Sequence, residues 1–393
     1  MDVELRPVTD DEFPAYVRQV AAQFGSFVPD REIASARRQM DLGRTIAGFD
    51  GDDIVATASA WTFAMTVPGG AAVPTAGVTF VGVQPTHRRR GLLRRMMAMQ
   101  LDDVARREEP VAALTASESV IYGRFGYGVA SVKREWSLRT DGTELLRPPA
   151  AAGGIRMLTA DDAPKVLPGA YAEAIRRIPG AMSRSEAAWD QWFADPEDER
   201  RGASALFFAV HDAGGYVAWR RHGEPVLVVH ELHAVDDEVE AALFRFVLDI
   251  DLVREVRARR RPVDERLPWR LADPRRLVVE QEVDDLYVRL VDPAAALSAR
   301  TYGTDDEVVL ELHDPFRPAN DGRWRVGGAG CQRTSLEPDL ALGAPELGSI
   351  YLGGVKPSVL ARAGRVEERR PGALRRADAL FASPVAPWLT MGF

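Results

Sequence analysis

A single cysteine, Cys331, stands among 393 residues, so no intrachain disulfide framework can form and the chain fits a reducing compartment. Its setting, Gly327-Gly328-Ala329-Gly330-Cys331, has no histidine beside it to act as a base, which predicts a small buried residue rather than a nucleophile. No run of about 18 apolar residues occurs, so no membrane-spanning helix is expected. The first residues, Met1-Asp2-Val3-Glu4-Leu5-Arg6, are charged where a secretory signal would be apolar, which predicts a cytoplasmic protein. A Walker loop and the Gly-x-Gly-x-x-Gly of a dinucleotide fold are both missing, and none of the six histidines is placed for a catalytic triad. The formal net charge of -8 argues against a nucleic-acid partner and suits a cationic small molecule better.

The length exceeds one ordinary core, and at about 150 residues per domain two or three units are expected. Pro148-Pro149-Ala150-Ala151-Ala152-Gly153-Gly154 cannot continue regular structure and reads as a linker after the strand-like Val132–Leu138. Leu286–Leu290 reads as a last strand before Pro293 opens a short helix. The resulting units are 1–150, 151–291 and 292–393. In the first, β-branched Val78–Val83 is followed by a basic turn and by a helix with Leu93, Met96, Met97, Leu101 and Val104 at helical spacing, until Pro110 stops the pattern. Buried Val111–Leu114 follows, and the whole predicts a mixed α/β sheet with a helix crossover. The second unit echoes that order, from Ala205–Val210 through Val226–Leu232 to a helix over Val239–Leu248. Its strand-to-helix turn, Ala234-Val235-Asp236-Asp237-Glu238, is acidic where the first is basic, so a diverged copy unable to hold a diphosphate is expected.

The segment from Val81 to Arg94 joins a strand, the turn His87-Arg88-Arg89-Arg90-Gly91 and a helix start. Exposed helix N–H groups, a glycine that admits close backbone approach and several guanidinium groups together suit a diphosphate, while the N–H of Val83 is placed to polarise a thioester carbonyl. Arg89-Arg90-Gly91-Leu92-Leu93 resembles a variant of the pyrophosphate signature of GNAT acetyltransferases, with leucine in place of its last small residue. Longer stretches, Pro74–Val81, Pro85–Arg94, Ala116-Ser117-Glu118, Ile121–Gly128, Gly348–Gly354 and Asp378–Ser383, resemble the enhanced-intracellular-survival (Eis) family across essentially the whole chain. That resemblance implies a GNAT domain, a second GNAT-like domain and a sterol-carrier-protein-like domain, assembled as a homohexamer. It also implies that acetyl-CoA is the co-substrate, held by Val81, Gly82, Val83, Arg89, Arg90, Gly91, Leu92, Leu93, Arg94, Ser117 and Glu118.

Direct transfer from a thioester to an amine needs a neutral amine, a polarised carbonyl and a proton for the thiolate. By the same resemblance Tyr122 donates that proton and the main-chain carboxylate of Phe393 is the base. A buried tail fits the apolar Pro384, Pro387, Trp388, Leu389 and Met391 before it, and desolvation would raise such a carboxylate toward useful basicity. Phe24, Ser26, Phe27 and Trp189 match substrate-contact positions of the family. Ser26 and Gly392 lack the acidic side chains familiar there, which predicts weaker or altered recognition of polycationic amines. His230-Glu231-Leu232-His233 is set aside as a metal pair because residues three apart on a strand point to opposite faces. The basic run Arg254–Arg261 lacks the interleaved aromatics of a nucleic-acid site. The expected activity is acetylation of small amines, aminoglycosides among them, with protein lysine acetylation and a non-catalytic CoA-binding sensor as rivals.

Overall fold

Two strands change places between the first and second sheets, and this exchange sets the architecture. The computed structural model describes residues 3–151 and 153–393; Met1 and Asp2 of the charged N-terminus and Ala152 of the linker lie outside the described residues. The first sheet draws on β1 (Glu4–Arg6), β2 (Ile46–Asp50), β3 (Asp53–Thr66), β4 (Ala72–Val83), β5 (Val111–Leu114) and β6 (Gly128–Val129). The second draws on β7 (Val132–Arg139), β8 (Ile155–Leu158), β9 (Phe207–His211), β10 (Gly215–His222), β11 (Val226–Ala234), β12 (Glu255–Arg261) and β13 (Leu277–Asp284). β14 (Tyr287–Leu290) then returns to the first sheet, whose order is β1-β2-β3-β4-β5-β14-β6, while the second runs β13-β7-β12-β11-β10-β9-β8.

β7, read from the sequence as the end of the first unit, is therefore an interior strand of the second sheet, and β14, read as the end of the second unit, is an interior strand of the first. Alternation and β-branching dictate that a segment is a strand; which open edge receives it is a long-range matter. The two crossing segments clasp one another through Ala130 N to Leu286 O at 2.8 Å and Asp285 N to Ser131 O at 3.0 Å.

Helix α1 (Phe13–Gln23) and α2 (Asp30–Gln39) cover one face of the first sheet, and α3 (Leu92–Arg106) crosses from β4 to the parallel β5. α3 buries Leu92, Met96, Met97, Leu101 and Val104 along one stripe, and Gly91 caps it with a left-handed φ of 78°. In the second domain α4 (Ala163–Ile175), α5 (Glu186–Ala194) and α6 (Asp237–Leu248) pack on the sheet. The third domain has β15 (Glu307–His313), β16 (Gly322–Gly327), β17 (Gly330–Arg333), β18 (Leu340–Gly343) and β19 (Val366–Glu368) in the order β17-β16-β15-β18-β19, covered by short helices. Its helix Ala344–Ile350 lies directly on β14, and a Cβ on Gly348 would stand 2.1 Å from Val288 O, so only glycine permits that approach. One apolar cluster runs from Met65, Val73 and Val111 through Val288 to Leu310, Leu347 and Leu380, welding first and third domains together. Among the described residues no helix is long and apolar enough to cross a membrane.

Candidate active site

The two larger domains share one local geometry. In the first sheet β4 pairs with β5 only from Thr75 to Gly77, opposite Val111 to Ala113, and then parts from it. A bulge on β4, where the register against β3 shifts and Phe80 takes a positive φ of 56°, turns the strand end further. Beyond Gly77 the β4 edge thus has no strand partner on the β5 side among the described residues, and its N–H and C=O groups face a cleft. That cleft holds a cavity of about 620 Å³ lined by Val78 to Val83, Arg88, Thr115, Ser117, Glu118 and Tyr122, with Phe24, Ser26 and Phe27 at its mouth. The α3 start beside it carries no side-chain cap, and a Cβ on Gly91 would meet nothing within 4 Å, so the first turn of amides is open to an approaching ligand.

In the second sheet β11 pairs with β12 from Val226 to Val229, opposite Glu255 to Ala258, and then parts from it in the same way. Here the tail of the chain enters the cleft, whose walls, Val229 to His233 and Arg259 to Arg261, also border a second cavity described below. Trp388, 6 % exposed, inserts its indole, with Nε1 donating to Arg260 O at 2.7 Å and the guanidinium of Arg261 4.9 Å above the ring. Its main-chain N–H donates to Pro179 O at 2.8 Å, and two residues on, Thr390 Oγ1 meets Tyr171 Oη at 2.7 Å. His233 packs against Trp388 at 5.2 Å; neither ring nitrogen has a hydrogen-bond partner among the described residues, the Glu231 carboxylate standing 3.9 Å from Nε2, and burial first, then Arg261 and Arg184, holds its pKa well below the ordinary histidine range. It is a neutral packing residue. The acidic turn is satisfied internally, since Asp236 Oδ1 accepts from the N–H of Glu238 and Val239 at 2.9 and 2.8 Å and so caps α6. A diphosphate would find that helix start already capped by a carboxylate.

From Trp388 the tail runs back to the first domain and ends in its cleft. The Phe393 ring lies 5.0 Å from that of Phe63, and Thr115 Oγ1 donates to the main-chain oxygen of Phe393 at 3.3 Å. Phe393 lines the cleft cavity and also a second cavity of about 820 Å³ that opens between the first and second domains. The second cavity has aromatic walls, Trp61, Phe63 and Trp192, and charged ones described below.

Tyr122 is 8 % exposed and begins the short turn Tyr122–Phe125, closed by Gly126 at a left-handed φ of 86°. Its ring stands edge-on to Tyr127 at 6.1 Å. Burial, and secondarily the charge of Glu118, raises its pKa above the ordinary phenol value. The neutral, proton-carrying form is the one present near neutrality.

The structure brings Val81, Gly82, Val83, Ser117, Glu118, Tyr122 and Phe393 to one cleft. The basic turn is distributed differently from the expectation. Leu92 is a core side chain and Leu93 packs half-buried, so these two can offer only main-chain N–H groups. Arg94 leans over Phe316 of the third domain at 5.4 Å, Arg90 donates to Thr86 O at 3.1 Å, and Arg89 is exposed with a φ of 64°. Arg88, outside the expected set, is the arginine that lines the cavity. Phe24, Ser26 and Phe27, read as substrate contacts, stand at the mouth of the cleft and not in the larger cavity. Trp189 lines neither: it is buried under the Arg184 guanidinium at 4.1 Å and stacked on Phe193, because on α5 it faces the domain core while Trp192 faces the cavity. Thr115 and Gln23 carried no sequence signal beyond being single polar residues. Gln23 packs so tightly on Gly82 that a Cβ there would stand 1.8 Å from its Oε1. Cys331 is half-buried, and burial, then Asp292, pushes its thiol up to about 12, away from reactivity.

Comparison with known proteins agrees with this layout. A family model described as an acetyltransferase (GNAT) domain matches residues 4–130, a second of the same description matches 180–290, and a sterol carrier protein domain model matches 293–390. An uncharacterized N-acetyltransferase of Streptomyces avermitilis is 41% identical with 100% of both chains covered, and N-acetyltransferase Eis of Mycobacterium tuberculosis is 33% identical over 98% of each. The crystal structure of Eis1 from Mycobacterium abscessus superimposes with a TM-score of 0.90 at 35% identity, covering 99% of this chain and 100% of that one. A GCN5-related N-acetyltransferase from Anabaena variabilis, 18% identical, shares the fold at a TM-score of 0.86, with 100% of both chains covered.

Proposed function

This chain belongs to the Eis family of GNAT N-acetyltransferases, and from that premise we propose that it passes the acetyl group of acetyl-CoA directly to a primary amine, with the Phe393 carboxylate as base and Tyr122 as acid. The observation that carries the reading is the position of Phe393, which lines both cavities and whose main-chain oxygen is held by Thr115 at 3.3 Å. A group there meets a thioester from one side and an amine from the other.

The residues of the cleft fit acetyl-CoA. Pantetheine carries two amides that complement the free β4 edge, and its diphosphate suits the uncapped α3 start with Arg88 and Arg89 near it. The amine nitrogen attacks the thioester carbonyl carbon; the N–C bond forms, and the C–S bond breaks with its electron pair passing to sulfur. The proton lost by nitrogen goes to the Phe393 carboxylate, and the proton gained by sulfur comes from the Tyr122 hydroxyl. On this reading the first domain holds the acyl donor, the third supplies the base, and the second, whose own cleft is occupied by Trp388, anchors the tail that carries the base.

Calorimetry with acetyl-CoA, followed by thiol release with aminoglycosides and with lysine-containing peptides, tests the reading and separates its two acceptor classes. Acetyl-CoA that binds without any amine-dependent thiol release would leave only the sensor reading. The anchoring role gives a further expected result. Trp388→Ala should lower kcat by about 100-fold, the loss that follows when a reacting group is misplaced by about 1 Å, with KM for acetyl-CoA unchanged. It should also lower stability by about 3–5 kcal/mol as a buried ring is lost. Trp388→Phe keeps most of the packing, loses the hydrogen bond to Arg260 O, and should fall between the two. A melting scan beside the kinetics distinguishes misplacement from unfolding, and a fully active, folded alanine variant would refute the anchor.

A further inference from the structure

The larger cavity is poorly suited to a polycation. Among its charged lining residues, Arg184 is bound to Glu231 at 2.6 Å, Arg261 to Glu265 at 2.7 Å, and Asp41 to Arg107 at 3.1 Å, so these groups largely cancel. What remains is a cluster at one end. Lys133 and Arg260 share the single carboxylate of Asp285, at 3.3 and 2.7 Å, and Arg259 is exposed with no ion pair or hydrogen bond among the described residues. Glu135 is the unpaired acid of the same wall, so, apart from the Phe393 carboxylate that serves as the base, three cations face two carboxylates.

The backbone is arranged to produce this cluster. Successive residues of a regular strand point to opposite faces. On β12 the register against β7 shifts between Ala258 and Arg261, and Arg260 takes a positive φ of 53°, a conformation that side chains rarely adopt. The irregularity lets Arg259, Arg260 and Arg261 all line one cavity. Arg260 also lies beside the tail: a Cβ built on Gly392 would stand 3.3 Å from its Nη2. A guanidinium thus stands next to the residue preceding the proposed base, where a second ammonium group of the acceptor would be repelled and a carboxylate would pair with it.

We propose that the acceptor is an amine that also carries a carboxylate, bound with its nitrogen toward Phe393, its carboxylate on Arg260, Arg259 and Lys133, and an apolar body against Trp61, Phe63 and Trp192. Because the base and Arg260 adjoin neighbouring residues of the tail, amine and carboxylate are a few bonds apart in the acceptor, as in an amino acid. The proposal rests on the acetyl-transfer reading above and narrows its substrate class.

The test compares kcat/KM for phenylalanine, phenylalaninamide and kanamycin by thiol release from acetyl-CoA, each referred to its fraction of neutral amine. Phenylalanine should exceed its amide at least about tenfold, the discrimination expected of a site built to pair a charged group. Arg259→Glu, an exposed change, and Gly392→Asp, which sets a carboxylate against Arg260, should each bring that ratio close to one while acetyl-CoA affinity holds. A native preference for kanamycin or for the amide overturns the carboxylate subsite and leaves acetyl transfer standing, as does a ratio that neither variant moves. Turnover of none of the three by protein that acetylates a lysine-containing peptide sinks this proposal alone; if the peptide too is left unacetylated by protein that binds acetyl-CoA, the reaction it rests on goes with it.

Discussion

Extending the chain by two residues beyond Phe393 is expected to lower kcat for acetyl transfer by about 10²–10⁴-fold, the range that a positioned general base contributes, with acetyl-CoA still bound. The extension turns the Phe393 carboxylate into a peptide carbonyl, which Thr115 can still hydrogen-bond but which cannot take a proton from an amine. The tail up to that point is fixed independently, by the Trp388 indole in the second-domain cleft, by Leu389 in the core and by Thr390 on Tyr171. The fold and its melting temperature should therefore change little. Semisynthetic amidation of Phe393 makes the same change with almost no added volume and separates loss of the base from obstruction of the cleft. If the amidated protein turns over at the native rate, the carboxylate is not the base, whatever the extension does. Removing Phe393 altogether gives a third comparison: the new carboxylate on Gly392 lies beside Arg260, which would pair with it and hold it as a weak base.

How much of this was legible beforehand follows the range of the interactions involved. The strand, turn and helix from Val78 to Val104 are specified by neighbouring residues, and alternation, Pro85, Gly91 and helical spacing all pointed one way. The exchange of β7 and β14 depends on two segments far apart in sequence meeting at Ala130–Ser131 and Asp285–Leu286, and no local pattern encodes which sheet edge is open. The same limit separates Trp189 from Trp192. Both are aromatic and three residues apart on α5, and both touch Phe193 and Arg184; the long-range contact that sets Trp189 apart is with Tyr171, at 5.5 Å. Of the basic run Arg254–Arg261, which reads as a solvated helix end, Glu255–Arg261 forms the strand β12 instead, with a bulge at Arg260. As a regular strand or helix end it would be a solvated basic face; with one residue in the left-handed region, three successive arginines line a cavity. Thr115 is a single hydroxyl at the end of β5, and its partner lies 278 positions away.

Tyr122→Phe should cost about 100-fold in kcat and little in KM for acetyl-CoA, as expected for a group that acts only while the C–S bond breaks. The ring keeps its edge-on contact with Tyr127, so the variant should fold, and the missing atom is the proton-bearing oxygen. The direction of the pKa shift fixes the pH behaviour. Burial, then Glu118, lifts the Tyr122 phenol above its ordinary value of 10.0, so the acid form persists through the neutral and mildly alkaline range. The native rate should rise with pH as the acceptor amine loses its proton and should not fall below about pH 10 on account of this residue. A phenol lifted in this way is a weaker acid than a free thiol, with its ordinary pKa of about 8.5, yet burial also makes a thiolate more basic, which keeps the pair within reach of proton transfer. The dependence on the leaving group isolates the role. An acetyl thioester of an aromatic thiol, whose thiolate departs without a proton, should be turned over almost equally by native and Tyr122→Phe protein. An equal deficit with both thioesters would mean that the hydroxyl serves the geometry of the turn at Tyr122–Phe125 and not the departing sulfur.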